Sequence, residues 1–148
     1  MSNVQVTPFG KLVDLAQGLA VPWDPDLQIS PHLSGAEGIC HCGCRKGYLS
    51  PVLVDLFERI RSQVGASIRI NSAFRCSSWN SKKGGESQSR HLLGCALDLD
   101  IPEVLAPSEF RRICEQEVAR VRGGLGLYPT FIHVDCWPWP ADRRWDRR

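Results

Sequence analysis

The sequence predicts an α+β domain in which helices pack against a small, mainly antiparallel sheet. Two segments carry apolar residues at helical spacing behind Ser-Pro or Pro-Ser start signals, and four short segments read as strands. Their order along the chain is helix, strand, loop, strand, helix, strand, strand, a succession that suits one layered core. The 148 residues, 43% hydrophobic and 23% charged, are enough for a single globular unit of this kind.

Residues 1–28 carry breakers at Pro8, Gly10, Pro22 and Pro25, and leave room only for a short helix between Lys11 and Leu19. They read as an N-terminal extension packed on the domain that follows. Ser50-Pro51 opens the first long helix, because serine caps and proline suits the first turn. Leu53, Leu56, Phe57, Ile60 and Val64 form its apolar stripe, and Gly65 ends it. Residues 67–72 then alternate apolar and polar, as a half-buried strand does.

From Cys76 to Arg90 the composition of Ser, Lys, Gly and Asn around Gly84-Gly85 predicts a surface loop. Residues 94–101 alternate again, turning Leu97, Leu99 and Ile101 to the core and Ala96, Asp98 and Asp100 to a polar face. A second helix follows Pro107-Ser108, with Phe110, Ile113, Cys114, Val118 and Val121 inward and Gly123-Gly124 as its stop. Leu125 to Tyr128 and Phe131 to Asp135 are two short strands about a Pro129-Thr130 turn. Residues 138–148, rich in Trp and Arg, form a basic tail expected to be a solvated end with some Trp packing, contact with an anionic envelope polymer being the lesser reading.

A net charge of +2 is too mild for a nucleic-acid partner, which calls for a concentrated basic face. No apolar run approaches the roughly 20 residues of a membrane helix. The Leu12 to Val21 stretch is broken by Asp14 and lacks a basic leader, so neither a membrane anchor nor a secretory signal is expected. A monomer is compatible with this composition. Seven cysteines cannot all pair, so synthesis in a reducing cytoplasm is expected, which leaves the place of action open.

The chemistry concentrates around one histidine. A hydrolytic zinc site needs three N or O ligands and one open position. His91 precedes Asp98 by seven residues, so a ligand at a loop end and a ligand on the following strand can converge. Residues 89–98 read SxHxxGxAxD. Upstream stand Asn71-Ser72-Ala73-Phe74-Arg75-Cys76, Asn80 and Gly84-Gly85; downstream stand Gly123-Gly124-Leu125-Gly126-Leu127-Tyr128 and Phe131-Ile132-His133-Val134-Asp135. This combination resembles the zinc signature of the M15 peptidases, the D-alanyl-D-alanine carboxypeptidase and dipeptidase group that includes phage endolysins and hedgehog-like domains. The final strand pair resembles the YcbK-like branch, and the resemblance implies a domain spanning 29–137.

The resemblance implies a hedgehog/D,D-peptidase-like fold and a Zn2+ ion held by His91, Asp98 and His133. It implies hydrolysis of peptide bonds next to D-amino acids in peptidoglycan stem peptides or cross-links. The short chain without a secretion signal points to a phage or prophage enzyme acting on the cell wall. Arg75 matches an arginine that points at the substrate near the metal, where a guanidinium binds a carboxylate or stabilises the tetrahedral oxyanion. The general base of many relatives, an Asp or Glu three residues before the last histidine, is replaced here by Thr130. Asp135 is the expected substitute, since positions 133 and 135 share a strand face about 7 Å apart. It could equally orient a ligand from behind. Asp100, on the face of Asp98, is a weaker candidate for either role, and Glu86 sits in the loop from which it could swing in. The replacement at 130 motivates the alternative reading, a non-catalytic zinc-binding structural or binding module such as a virion component.

His32 and His41 match no pattern and read as surface or packing residues. Cys40, Cys42 and Cys44, joined by Cys76, admit a second, structural metal site. The CxCxC spacing is less specific than paired CxxC motifs, so free thiols are the expected state. Cys95 and Cys114 sit in apolar patterns and read as core; Cys136 fits either class.

Overall fold

The computed structural model describes residues 24–86, 89–136 and 142–148, together with the backbone of three short strands ahead of them. Those strands, Val4–Val6 (β1), Leu12–Asp14 (β2) and Leu19–Ala20 (β3), pair as an antiparallel meander. The short helix expected between Lys11 and Leu19 is therefore corrected. A nine-residue helix is marginal without a face to bury, whereas three short segments satisfy one another's backbone. The breakers Pro8, Gly10 and Pro22, and how the extension sits on the domain, lie outside the described residues.

A two-stranded ribbon, Gln28–Ser30 (β4) and Leu33–Ser34 (β5), leads to the first long helix, Pro51–Val64 (α1). The Ser50 side chain accepts from the Leu53 N–H, and Gly65 closes the helix at φ 70°. The second long helix is Pro107–Arg120 (α3), which packs against α1. Both stripes read from the sequence are buried, apart from Val121, which caps α3 half-buried.

The main sheet has five strands: Ile70–Ser72 (β6), Ala96–Asp100 (β7), Gly124–Leu127 (β8), Phe131–Asp135 (β9) and Arg143–Asp146 (β10), in the order β10-β8-β9-β7-β6. All pairings are antiparallel except β10 with β8. Leu97, Leu99, Leu125, Ile132 and Val134 bury one face in the same core as α1 and α3. The fold is α+β with a mainly antiparallel sheet, as the order of elements predicts.

Two further expectations are revised. The segment Cys76 to Arg90 is not loop throughout: Ser77–Lys82 forms a short helix (α2), and Arg90–Leu93 forms a single 3-10 turn. Trp79 packs against a small apolar cluster of Cys40, Tyr48 and Phe74, and the Asn80 amide donates to the Glu86 carbonyl at 2.8 Å. Tertiary contact thus holds a helix that its composition would not. The tail is solvent-exposed with Trp145 packed, and its residues 143–146 also add an edge strand to the sheet, which the composition did not predict; the Trp137 to Pro140 stretch lies outside the described residues.

Candidate metal centre

Sheet register builds the site. One row of residues crosses all five strands: Trp145 pairs with Gly126, Gly126 with His133, His133 with Asp98, and Asp98 with Ser72. Side chains of paired residues share a face. The apolar neighbours of this row point into the core, so the row itself lies on the opposite, polar face. An irregularity in β6 between Ile70 and Ser72 brings Ser72 beside Asp98.

His91 joins the row from the 3-10 turn that precedes β7. The Ser89 hydroxyl caps that turn by accepting from the His91 N–H, and Gly94 ends it at φ 65°. A side chain at Gly94 would be strained there and would also meet Tyr48. The turn aims the His91 ring at Asp98. His91 Nδ1 is 2.6 Å from the Ala73 carbonyl oxygen, which can only accept, so Nδ1 carries the proton and the Nε2 lone pair faces Asp98.

The donor atoms of His91, Asp98 and His133 all lie within 4.8 Å of one another. His91 Nε2 is 3.3 Å and His133 Nδ1 is 2.9 Å from Asp98 Oδ1. Ligands at about 2.0–2.1 Å around a tetrahedral zinc ion stand roughly 3.4 Å apart, so the spacing and the N,N,O donor set both fit zinc. His91 and Asp98 are buried, and His133 keeps 12% of its side chain exposed.

The electrostatics of the three groups differ by cause. Burial pushes the His91 pKa down, against the pull of Asp98. Burial also opposes charge on His133, but its hydrogen bonds to Asp135 and Asp98 win and hold its pKa up. Burial would raise the Asp98 pKa, yet the two imidazoles hold its carboxyl far below the usual carboxylate range. Without metal, the charged imidazolium form is thus favoured at His133 and disfavoured at His91, which keeps only its Nδ1 proton.

Arg75 stands beside the cluster. Its Nη2 is 3.4 Å from Asp98 Oδ2, its Nε donates to Ser72 Oγ at 3.0 Å, and its Nη1 reaches Asn80 Oδ1 at 3.4 Å. The three donors open onto a cleft of roughly 820 Å³ that Arg75 also lines. Arg90, Arg143, Arg147 and Lys83 add positive charge to its walls, and Tyr128, Phe131 and Trp145 supply an aromatic side. Tyr128 and Phe131 stack at 4.4 Å, and the Trp145 indole N–H donates to the Tyr128 hydroxyl at 3.0 Å.

Asp135 lies behind the cluster. Its carboxylate is 1% exposed and meets His133 Nε2 at 2.8 Å, the Gly124 N–H at 2.7 Å and the Arg143 guanidinium, with Arg90 Nε at 3.8 Å. Burial would raise its pKa, but His133 and the two arginines hold it down. Such a group is saturated and does not line the cleft. Its geometry fits the orienting role and not that of a general base. Asp100 points elsewhere, to Asn71 and Arg69. Thr130 does not line the cleft either, whereas Glu86 does. Among the described residues, Asp98 and Glu86 are the carboxylates on its walls. His32 pairs with Glu58 at 2.7 Å and His41 is exposed, both away from the site.

Sequence reasoning missed Arg90, Arg143 and Trp145. Arg90 carried no signal beyond adjacency to His91. The last two sat in a segment whose charged run masks the strand period.

No curated protein matches the chain. The family described as peptidase M15 has a sequence model that matches residues 31–135, which is most of the chain, and the chain therefore belongs to the M15 peptidase family.

Proposed function

We propose that this peptidase is zinc-dependent and hydrolyses peptide bonds next to D-amino acids in peptidoglycan stem peptides or cross-links. The observation that carries the reading is the meeting of two imidazoles and one carboxylate at the floor of a cleft with cationic walls. Stem peptides bear free carboxylates, and the exposed Lys83, Arg143 and Arg147 on the cleft walls offer them partners. His91 Nε2, Asp98 and His133 Nδ1 would hold the ion. When bound there, zinc supplies Lewis acidity, polarising a scissile carbonyl and lowering the pKa of water toward about 7.

The chain's own residues do the rest. Asp135 keeps a proton on His133 Nε2, which leaves Nδ1 as the donor atom. Arg75 presents a guanidinium to the developing oxyanion or to a substrate carboxylate. Glu86, on the exposed wall, takes the proton of the attacking water in place of Asp135. Arg143 and Arg147 bind carboxylates further along the stem, and the Trp145 side walls off bulk water. Action on the cell wall after release from a phage-infected or prophage-bearing cell belongs to this proposal.

The test is hydrolysis of purified peptidoglycan by the zinc-loaded protein, with released fragments read by mass spectrometry. Cleavage by wild type, and none by His91→Ala, supports the proposal; the new ends identify the bond. A folded, metal-loaded wild type no more active than His91→Ala overturns it in favour of a non-catalytic zinc-binding module, and Glu86→Gln with full turnover removes the base assignment.

A further inference from the structure

A second cluster of soft ligands lies outside the cleft. Cys40, Cys42, Cys44 and Cys76 bring their four sulfur atoms within 4.8 Å of one another. Cys42 Sγ is 3.5 Å from Cys40 Sγ and 3.6 Å from Cys76 Sγ. Four thiolates at about 2.3 Å from a zinc ion form a tetrahedron with edges of about 3.8 Å, so these separations match the edges of such a cage.

The backbone is shaped to bring the sulfurs together. Residues 39–47 form a closed hairpin: Ile39 bridges Gly47, and the Cys40 N–H donates to the Lys46 carbonyl at 2.8 Å. Within it Gly43 has φ 89° and Arg45 has φ 64°. The left-handed region is uncommon for arginine, and here it folds the CxCxC run on itself. The fourth sulfur arrives from a segment 34 residues beyond Cys42 in sequence, where Cys76 stands at the residue before α2 and donates its N–H to Cys40 Sγ at 3.4 Å.

Packing does not account for the arrangement. A buried cysteine behaves as a small apolar residue, and that is a sufficient reason for Cys95, Cys114 and Cys136. Cys42 and Cys44 are exposed, so they gain nothing from burial, yet they converge with the other two. All seven cysteines are free thiols, which leaves these four available as ligands.

We infer that Cys40, Cys42, Cys44 and Cys76 form a structural zinc site, separate from the His91, Asp98 and His133 cluster, that pins the hairpin 39–47 to the segment carrying Arg75. On binding, the thiols give up their protons to solvent and four thiolates enclose the cation. Closed four-sulfur coordination leaves no open position, so this ion does no hydrolysis. Its effect reaches the cleft through the chain. Cys76 follows Arg75 directly, and three residues before it the Ala73 carbonyl fixes the His91 ring. The apolar cluster beneath is small, with Cys40, Tyr48 and Phe74 buried and Ile39 and Trp79 partly buried against it.

The experiment is metal analysis and cobalt substitution on the full chain, purified without a histidine tag. Two zinc ions per wild-type chain are expected, and one in either His91→Ala or Cys42→Ser. Cobalt-substituted wild type and His91→Ala should both show thiolate-to-cobalt charge-transfer absorption, and Cys42→Ser should not. If Cys42→Ser does not fold, the wild-type and His91→Ala spectra decide. Thiolate absorption with only one metal per chain supports the cysteine site while sinking the histidine site. A wild type without thiolate absorption, whose Cys42 and Cys44 react with a thiol reagent at the same rate before and after zinc addition, overturns the inference. An iron–sulfur spectrum after anaerobic purification overturns the assignment to zinc.

Discussion

The Asp135 carboxylate lies 2.8 Å from His133 Nε2, on the edge of the imidazole opposite the one that Asp98 meets at 2.9 Å. One ring is thus gripped from both sides, and only the Asp98 edge faces the other ligands. Replacing Asp135 by Asn removes the charge that makes Nδ1 a better donor while keeping much of the hydrogen bonding. Zinc affinity should fall by about 10–100-fold. Activity should fall with it at limiting zinc and recover in excess zinc. A general base would behave differently, because added zinc restores no proton acceptor. Asp135→Ala leaves the Gly124 N–H and His133 Nε2 facing a buried hole, and should cost about 3–5 kcal/mol in urea denaturation.

Gly126 sits between His133 and Trp145 in the row across the sheet. A Cβ at this position would run into the Trp145 indole, whose ring centroid lies 5.1 Å from that of His133. Gly126→Ala should swing the indole off the cleft without touching a ligand. An aromatic contact of this kind is worth about 0.5–1.5 kcal/mol, so KM should rise about 2–12-fold. Zinc content should stay at the wild-type value. A loss of zinc in Gly126→Ala would place the indole in the support of His133 and not in substrate binding.

Arg75 is held in a fork by Ser72, Asn80 and Asp98, a geometry that suits a planar guanidinium and no ammonium. Arg75→Lys keeps the charge and loses the fork. If the group stabilises the oxyanion, kcat should drop by about 10²–10³-fold with little change in KM. If it binds a substrate carboxylate, the change should appear in KM. Steady-state kinetics on a soluble stem peptide separates the two, and unchanged kinetics would remove Arg75 from the machinery.

The sequence made the two long helices and the ligand-bearing strands readable because each announces itself locally. Ser50-Pro51 and Pro107 mark helix starts, and the Leu97-Asp98-Leu99-Asp100 alternation separates a core face from a polar face. The short helix at Ser77–Lys82 was not readable, since it depends on Trp79 meeting Tyr48 and Phe74 across the fold. The last strand was hidden for a similar reason: Arg143-Arg144-Trp145-Asp146 has no apolar period and gains its partner only from β8. The candidate ligands were legible as a motif, whereas the position of Asp135 behind His133 required the register. Two residues on one strand face share a side of the sheet, but that does not say which of them faces the cleft.

His91 and His133 should give the metal-free protein opposite pH dependences. An unfolded histidine titrates near about 6.5. His133 is raised above that value, so its contribution to stability is fully present below about pH 6.5 and is lost as pH rises through its folded pKa. His91 is lowered, so the folded state refuses a proton that the unfolded chain accepts, and stability falls as pH drops below about 6.5. Each effect has a limiting slope of about 1.4 kcal/mol per pH unit. Urea denaturation after chelation, compared between wild type and each of His133→Gln and His91→Gln, should show the wild-type advantage over His133→Gln shrinking above about pH 6.5. The advantage over His91→Gln should shrink below it. Zinc loading should reverse the first trend, because protons compete with the ion for His133 and metal-bound stability rises with pH. Differences that stay flat from about pH 5 to about pH 8 would mean that neither imidazole feels the carboxylates and burial described for it.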